Sequence, residues 1–352
     1  MRKRLVLMLL AICCHTVLAE SGTLVEPLRI GVLYWSMNIP GQVAMRKGLE
    51  AEAEHINSTA RERGEQQVIL LPEVAGDGES GVERQIAQMQ AMVAAKPDVI
   101  IVQPTDNAAL AAPLKAANAA GIPVVAYDQY ISGGHLAAYV TSDNRQAGYL
   151  DGEYLAAQFP DAAPLRLVLV EYPLVSSTVE RVNGFLDALR DQGKAFTILK
   201  TYQAVEPVSG RKAGMDILRD FPSRNSVDAI FTVNDGGGLA VVDVLAKAGR
   251  DEIAVASIDG DPLAVENIRA HRLIRIDSAQ FCGPLGAAAM KAAHAVARKQ
   301  PVARLILVPV FPITAETLDR YPGWLGPIPA PFKKPWVAKQ SMWPGETAVI
   351  MQ

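Results

Sequence analysis

Polar side chains end several short apolar segments of this chain. One apolar segment ends at Asp128, another runs into 141–144 (TSDN), and two later ones end at Asn234 and Asp259. Carboxylates accept hydrogen bonds and amides both donate and accept them, so together they can pair the many hydroxyl groups of a small polyhydroxylated ligand. A hydroxyl buried without a partner costs about 1–3 kcal/mol. The residue types therefore indicate a ligand-binding cleft.

Motifs of catalysis and cofactor binding give a weaker signal. The stretch 76–81 (GDGESG) fits G-x-G-x-x-G, the pattern of a dinucleotide site. It follows the second predicted strand rather than the first, and the acidic Asp77 and Glu79 would face a pyrophosphate, so a flexible loop is the better interpretation. The histidines beyond 1–19 are scattered, and the sequence has no G-x-S-x-G or Walker motif. We therefore expect no cofactor, no metal site and no enzyme activity.

Strand and helix patterns alternate along most of the chain, and the polar residues lie at the ends of predicted strands. The predicted strands include 28–34, 67–71, 99–102, 165–170, 196–199, 229–233 and 253–258, and the predicted helices include 42–56, 82–94, 211–221 and 239–248. Continuous apolar strands that alternate with helices are typical of a parallel sheet covered on both faces. The alternation restarts after Asn144, which predicts an α/β fold with two units in series.

Residues 1–19 have the features of a secretory signal. Three basic residues precede an apolar run from Leu5 to about Cys14, and small residues end the segment at Ala19. A transmembrane anchor needs about 20 apolar residues, and this run is shorter. A lipoprotein signal through Cys13 is the weaker alternative, because an isoleucine stands where a small residue is wanted. We expect cleavage near Ala19 and export to the periplasm.

Composition limits the classes of partner. The 352 residues are 50% hydrophobic and 20% charged, enough for one large or two medium globular domains. Without 1–19, the chain keeps 31 basic residues against 37 acidic ones, a net charge of −6. That balance gives no support for binding to nucleic acid or to an anionic membrane. Cys282 is the one cysteine beyond 1–19, so we expect no internal disulfide and a buried, unreactive thiol.

Five ordered blocks resemble the type I periplasmic binding proteins of the ribose and galactose group. The blocks are 104–106 (PTD), 121–128 (GIPVVAYD), 142–148 (SDNRQAG), 231–235 (FTVND) and 257–260 (SIDG). The resemblance covers about 28–310. It implies two Rossmann-like lobes with parallel sheets, joined by a three-stranded hinge that the chain crosses near Ser142, Gln280 and Leu305.

The same resemblance implies where the lobes begin and end. The N-terminal lobe comprises 28–142 and 281–305, and the C-terminal lobe comprises 143–280 and 306–320. Residues 321–352 form a tail rich in proline and tryptophan, beyond the point where the family usually ends. Its prolines exclude a regular helix or a central strand. We favour a strap that packs its three tryptophans on the body over an arm that binds a partner.

The resemblance also implies a set of ligand-binding residues. Carried over residue by residue, they are Trp35, Asn38, Asp128, Gln129, Arg181, Asn234, Asp259 and Gln280. The alternative for each is a helix cap or a solvated loop residue. Ribose-binding members have arginine where this chain has Gln129, and the paired aromatic residues after their first-strand proline are absent here. We therefore expect a ligand other than ribose, and the missing positive charge would admit an amino-bearing ligand.

The function implied by the resemblance is solute capture. The two lobes would close around a small polar ligand, a sugar or a sugar-like compound, and present it to an ABC importer. The alternative is a binding protein that reports its ligand to a membrane sensor kinase or chemoreceptor. An exported enzyme would need a nucleophile with a base, and a repressor of this fold would need a DNA-binding unit where the signal stands. We expect a monomer with no nucleic-acid partner.

Overall fold

The computed structural model describes residues 26–159 and 163–351. The predicted signal at 1–19, with its two cysteines, lies outside the described residues. The strands are β1 (Leu28–Tyr34), β2 (Val68–Val74), β3 (Val99–Val102), β4 (Val124–Tyr127), β5 (Ala138–Ser142), β6 (Leu165–Glu171), β7 (Phe196–Gln203), β8 (Ala229–Thr232), β9 (Ala254–Asp259), β10 (Ile274–Gln280), β11 (Leu305–Val308), β12 (Val310–Thr314), β13 (Phe332–Lys333), β14 (Met342–Trp343) and β15 (Ala348–Ile350). The helices are α1 (Pro40–Arg63), α2 (Gly78–Ala95), α3 (Ala111–Ala119), α4 (Asn144–Gln158), α5 (Ser176–Asp191), α6 (Pro207–Asp220), α7 (Asp235–Lys247), α8 (Pro262–Arg269) and α9 (Cys282–Ala297).

The first sheet has seven strands in the order β15-β11-β5-β4-β3-β1-β2, and β15 is its antiparallel edge strand. The other strands of this sheet pair in parallel. Their side chains alternate between the two faces, so both faces are apolar and need cover. Helices α1 and α9 cover one face, where Met45 and Leu49 join the main core, and α2 and α3 cover the other, where Met89 and Leu114 form a separate cluster.

The second sheet has six strands in the order β12-β10-β9-β8-β6-β7, of which β12 is antiparallel. Helices α4 and α5 pack against each other on this unit, as do α6 and α7. The prediction of an α/β fold with two parallel sheets is therefore confirmed. We name the first sheet with its helices α1, α2, α3 and α9 the first lobe, and the second sheet with its helices the second lobe.

The predicted helix at 42–56 is longer in the structure, and its ends have physical reasons. Helix α1 begins with Pro40 at its first position, where the missing amide hydrogen costs nothing and the fixed φ suits the helix. It ends at Gly64, whose φ of 65° is the left-handed conformation that closes many helices. These terminal turns carry few apolar residues, so hydrophobic spacing alone could not place the ends.

The chain passes between the two lobes at three places. It leaves the first sheet after Ser142 and enters α4, whose N-terminus is capped by Asp143. It returns from the second sheet after Gln280, the last residue of β10. The third passage follows Val308, because β11 still pairs with β5 in the first sheet and β12 begins at Val310 in the second. The resemblance placed this last passage near Leu305, which is the first residue of β11.

The tail packs on the body through the indole nitrogens of its tryptophans. Trp324 donates to the carbonyl of Asp259 at 2.6 Å, Trp336 to a Glu153 carboxylate oxygen at 3.0 Å, and Trp343 to the carbonyl of Val310 at 2.7 Å. These contacts confirm the strap interpretation. In the part of the tail that the structure describes, 321–351, regular structure is limited to the two-residue strands β13 and β14 and the edge strand β15.

The strap contacts both lobes. Its last strand extends the first sheet, while Phe332 and Trp343 pack against Phe311 of the second sheet at ring-centroid distances of 5.6 and 5.3 Å. A buried ion pair also holds it, because the Lys334 ammonium lies 2.7 Å from the Glu153 carboxylate and both side chains are excluded from solvent. The strap is therefore an integral layer of the fold.

Candidate functional site

The carboxyl ends of strands from both sheets meet around one cavity between the lobes. Such crevices at strand ends are where open α/β sheets bind ligands. The polar residues that line it are Gln42, Asp128, Gln129, Ser177, Thr178, Arg181, Asn234, Asp259 and Gln280, and Trp35, Ile39, Met45, Val175 and Val205 supply the apolar part of its wall.

Asp128 stands in the first-lobe wall, directly after β4. Its φ of 64° lies in the left-handed region, and its carbonyl is held there by the hydroxyls of Thr141 at 2.9 Å and Tyr139 at 3.2 Å. The amide of Gln103 donates to one of its carboxylate oxygens at 2.9 Å. Burial raises the pKa of the Asp128 carboxyl, against the opposing effects of the Gln103 hydrogen bond and the charge of Arg181.

Asp259 stands in the second-lobe wall at the end of β9. One of its carboxylate oxygens accepts from the guanidinium of Arg181 at 3.0 Å and from the amide of Gln280 at 2.6 Å. Its φ of 136° is also positive, and its carbonyl accepts the indole hydrogen of Trp324. Burial raises the pKa of the Asp259 carboxyl, while the Arg181 charge and the Gln280 hydrogen bond oppose that rise.

Arg181 reaches Asp259 because two helices cross at unusually short range. A Cβ atom at Gly148 of α4 would lie 1.8 Å from the carbonyl oxygen of Arg181 on α5, so only glycine permits this approach. The buried guanidinium then donates to the side-chain oxygen of Asn144 at 2.9 Å and to the carbonyl of Val233 at 2.8 Å, besides its bond to Asp259. The second-lobe wall is therefore a connected network of hydrogen bonds around an ion pair.

The two lobes also touch each other across the cavity. The Gln129 amide donates to the Ser177 hydroxyl at 2.7 Å, and the Ser177 backbone amide donates to the Gln129 side-chain oxygen at 3.2 Å. Beside the cavity, the backbone amide of Tyr130 donates to the Ser176 hydroxyl at 3.1 Å. At the hinge, Ser142 donates to Gln280 at 2.8 Å. The structure is thus in a closed arrangement, with the cavity held between the lobes.

Comparison with known proteins decides the family. The model of the periplasmic binding protein domain matches residues 30–301. The chain belongs to this family of periplasmic binding proteins. Its membership confirms the resemblance of the sequence blocks, and the matched region ends before the strap.

Individual relatives and solved structures match most of the chain. The ribose import binding protein of Bacillus subtilis (strain 168) is 26% identical over 281 residues, which are 80% of this chain and 85% of the relative. The structure of a solute-binding protein of an ABC transporter from Bacillus halodurans C-125, with bound myo-inositol, is similar with a TM-score of 0.72 at 20% identity, covering 84% of this chain and 96% of that one. A counterpart from Actinobacillus succinogenes 130z, with bound D-allose, has a TM-score of 0.69 at 24% identity, covering 84% of this chain and all of that one.

Seven of the eight ligand-binding residues predicted for this periplasmic binding protein line the cavity. Asn38 does not: it is exposed, and its amide donates to Asp77 at 2.6 Å outside the cavity wall. Asn234 lines the cavity and also caps α7, where it accepts from the Gly237 amide at 3.2 Å, so the ligand and capping interpretations apply together. Trp35 is buried in the first-lobe wall.

Four polar or sulfur-bearing lining residues were missed by the sequence reasoning. Gln42 accepts a hydrogen bond from the Ser36 backbone amide at 2.9 Å, which folds the loop after β1 so that Gln42 faces the cavity. Met45 lies one turn further along α1, and Ser177 and Thr178 occupy the first turn of α5. The sequence could have indicated these residues by their position, because they lie near the start of a helix that follows the loop at the end of a strand.

Three further buried carboxylates lie behind the second-lobe wall. Asp235 accepts from the Ser257 hydroxyl at 2.5 Å, Asp277 accepts from the Gly260 amide at 2.9 Å, and Asp151 accepts from a serine of β10. Burial raises the pKa of Asp277 to about 8 and raises that of Asp235 as well. Within 26–159 and 163–351, no group of histidine, cysteine or acidic side chains has the arrangement of a metal site.

The cysteine and the helix lengths complete the description of the structure. Cys282 is buried and unpaired, as expected for a thiol that behaves as a small apolar residue. Among the helices that the structure describes, none is long and apolar enough to cross a membrane.

Proposed function

We propose that this protein captures a small polyhydroxylated ligand, a sugar or a polyol, between its lobes and delivers it to an ABC importer. The observation that carries the proposal is the cavity between the lobes, which is lined by hydrogen-bonding side chains from both of them. Each carboxylate or amide there can form a hydrogen bond with a ligand hydroxyl, which loses its hydrogen bonds to water when the ligand is buried. Its relatives include a ribose import binding protein and solute-binding proteins with bound D-allose and myo-inositol, and these three compounds are of this chemical class.

Ligand capture would proceed by hinge closure. Opening at the three passages between the lobes would separate Gln129 from Ser177 and expose the cavity to solvent. A ligand that bonds to Asp128 on one side and to Arg181 or Asn234 on the other adds interactions that exist only in the closed form, so binding shifts the population toward closure. The ligand itself undergoes no covalent change in this proposal.

Export and delivery complete the proposal. Residues 1–19 would direct the chain to the periplasm and be removed near Ala19. The closed lobes then present a surface that differs from the open form, which a permease can recognise. N-terminal sequencing of the exported protein should begin at Glu20. If the partner is an importer, deletion of the protein should abolish uptake of the ligand by cells. If the partner is a membrane sensor, the same deletion should leave uptake unchanged.

Thermal unfolding against a panel of pentoses, hexoses, polyols and amino sugars tests the ligand class. A ligand present at 100 times its Kd stabilises the folded protein by about 2.7 kcal/mol, so one class should raise the Tm. The variant Gln280→Leu should lose the shift, because it removes a polar group from the cavity, and Glu62→Gln, an exposed change on α1, should keep it. A panel without any shift would contradict the proposal.

A further inference from the structure

The charges on the cavity wall do not balance. Its charged lining residues are Asp128, Arg181 and Asp259. The guanidinium of Arg181 is committed to Asp259 at 3.0 Å, and both side chains are nearly inaccessible to solvent. Asp128 has no ion-pair partner among the residues that the structure describes, and its hydrogen-bonded neighbour there is the neutral amide of Gln103. The wall therefore carries one more carboxylate than it has cations.

Burial makes the negative charge of the Asp128 carboxylate costly. Asp128 is 3% accessible in the closed arrangement, so water does little to stabilise its charge. A buried charge is costly unless it is paired and hydrogen-bonded. The left-handed backbone at Asp128 and the two hydroxyls on its carbonyl show that the chain holds the residue in place against a local conformational preference. The missing counter-charge is one that a ligand could bring.

Among the residues that the structure describes, Arg181 is the one cation that lines the cavity. The acidic groups behind the second-lobe wall are Asp151, Asp235 and Asp277, which add no positive charge. The residue next to Asp128 is Gln129, whose amide bridges to Ser177 rather than pairing the carboxylate with a charge. A ligand with a single positive charge would make the closed cavity neutral, and its ammonium would give the shorter, stronger hydrogen bonds of charged pairs.

We propose that the ligand is an aminated polyol, an amino sugar or amino cyclitol, whose ammonium binds Asp128 while its hydroxyls reach the amides of Asn234 and Gln280. This inference rests on the proposed function and narrows its ligand class. Gln129 is then a specificity residue, because its neutral side chain forms no ion pair with Asp128 and the ligand ammonium can do so.

Matched ligand pairs test the inference. Isothermal titration would compare D-glucosamine with D-glucose, D-galactosamine with D-galactose, and an amino-deoxy inositol with myo-inositol. In at least one pair the amine should bind about 10-fold or more tightly than its hydroxyl parent. Asp128→Asn should bring that ratio close to one, and so should Gln129→Arg, which places a guanidinium beside the carboxylate. Asp319→Asn, an exposed change outside the cavity, should keep the ratio.

The outcomes separate this inference from the proposed function. If the hydroxyl parents bind as tightly as the amines or more tightly, the amine inference is wrong and the function as a polyol-binding protein stands. If no member of any pair binds, both are overturned. An amine preference that survives in Asp128→Asn, with the variant's thermal unfolding still cooperative, would overturn the role assigned to Asp128.

Discussion

Asp128 and Asp259 occupy corresponding places in the two lobes. Each ends a central parallel strand, is buried in the cavity wall and has a positive φ, 64° for the first and 136° for the second. Each also has its carbonyl held by side chains from another element: Thr141 and Tyr139 for Asp128, and Trp324 of the strap for Asp259. The two sites therefore share a positive φ and a carbonyl held by side chains.

The partners of the two carboxylates differ. Asp259 has the Arg181 guanidinium and the Gln280 amide, whereas Asp128 has the Gln103 amide. Asp259 thus has a counter-charge without a ligand, whereas Asp128 has no ion-pair partner among the described residues. The difference suggests that the second lobe offers a preorganised surface to the ligand. The first lobe supplies the charge that selects the ligand.

The largest effect should come from removing the cation of the second lobe. Arg181→Leu leaves the Asp259 carboxylate buried without its counter-charge, and breaking such a pair from one side costs about 3–5 kcal/mol. Urea denaturation of the ligand-free protein measures the loss. Arg190→Leu on the same helix is the control, because its ion pair with Asp187 is exposed and should contribute less than about 1 kcal/mol. Equal losses in the two variants would mean that Asp259 is neutral in the folded protein.

The acids behind Asp259 should make stability depend on pH. Among the described residues, no comparable cluster of buried acids lies behind Asp128. Burial raises the pKa of Asp277 from its ordinary 3.8 to about 8, so between these values the folded protein holds a proton that the unfolded chain has released. The contribution is fully present below pH 3.8 and is lost as the pH rises through about 8. Asp277→Asn should flatten this fall in the free energy of unfolding. Parallel pH profiles for this variant and the parent protein would contradict the assignment.

Neutralising each carboxylate in turn compares the two walls directly. Asp259→Asn leaves the Arg181 guanidinium buried with fewer charged contacts, a loss of about 1.5–3 kcal/mol for a hydrogen bond to a charged group. Asp128→Asn removes a charge that has no counter-charge, and asparagine tolerates left-handed backbone, so we expect a change below about 1 kcal/mol. Denaturant midpoints in ligand-free protein give both values. A larger loss for Asp128→Asn would reverse the comparison.

The sequence predicted the fold and most of the cavity because both depend on local patterns. Apolar strands that end in Asp128, Asn234 and Asp259 predict where a parallel sheet exposes polar groups, and the family blocks identify the same strand ends. The pairing of Gln129 with Ser177 joins residues 48 positions apart in different lobes, and its geometry depends on how the lobes close. No local pattern contains that information.

The loop after β1 shows the same limit at shorter range. Asn38 and Gln42 are four residues apart, and either could supply an amide to a ligand. The hydrogen bond from the Ser36 amide to Gln42 turns the loop so that Gln42 lines the cavity and Asn38 faces Asp77. The composition of the tail likewise predicted irregular structure, but the burial of Lys334 against Glu153 requires knowing which face of α4 the tail covers.

The smallest effect should come from the hydrogen bonds that hold the two carbonyls. Trp324→Phe removes the one side-chain donor to the Asp259 carbonyl among the described residues, and a typical buried hydrogen bond contributes about 0.5–1.5 kcal/mol. Tyr139→Phe should cost less, because Thr141 still donates to the Asp128 carbonyl. Denaturation measures stability, and titration with the ligand found in the panel should show weaker binding for Trp324→Phe, since the strap then no longer fixes the backbone that carries the Asp259 carboxylate. If Tyr139→Phe weakened binding more than Trp324→Phe, the strap would have no part in positioning Asp259, and the apparent likeness of the two backbones would be accidental.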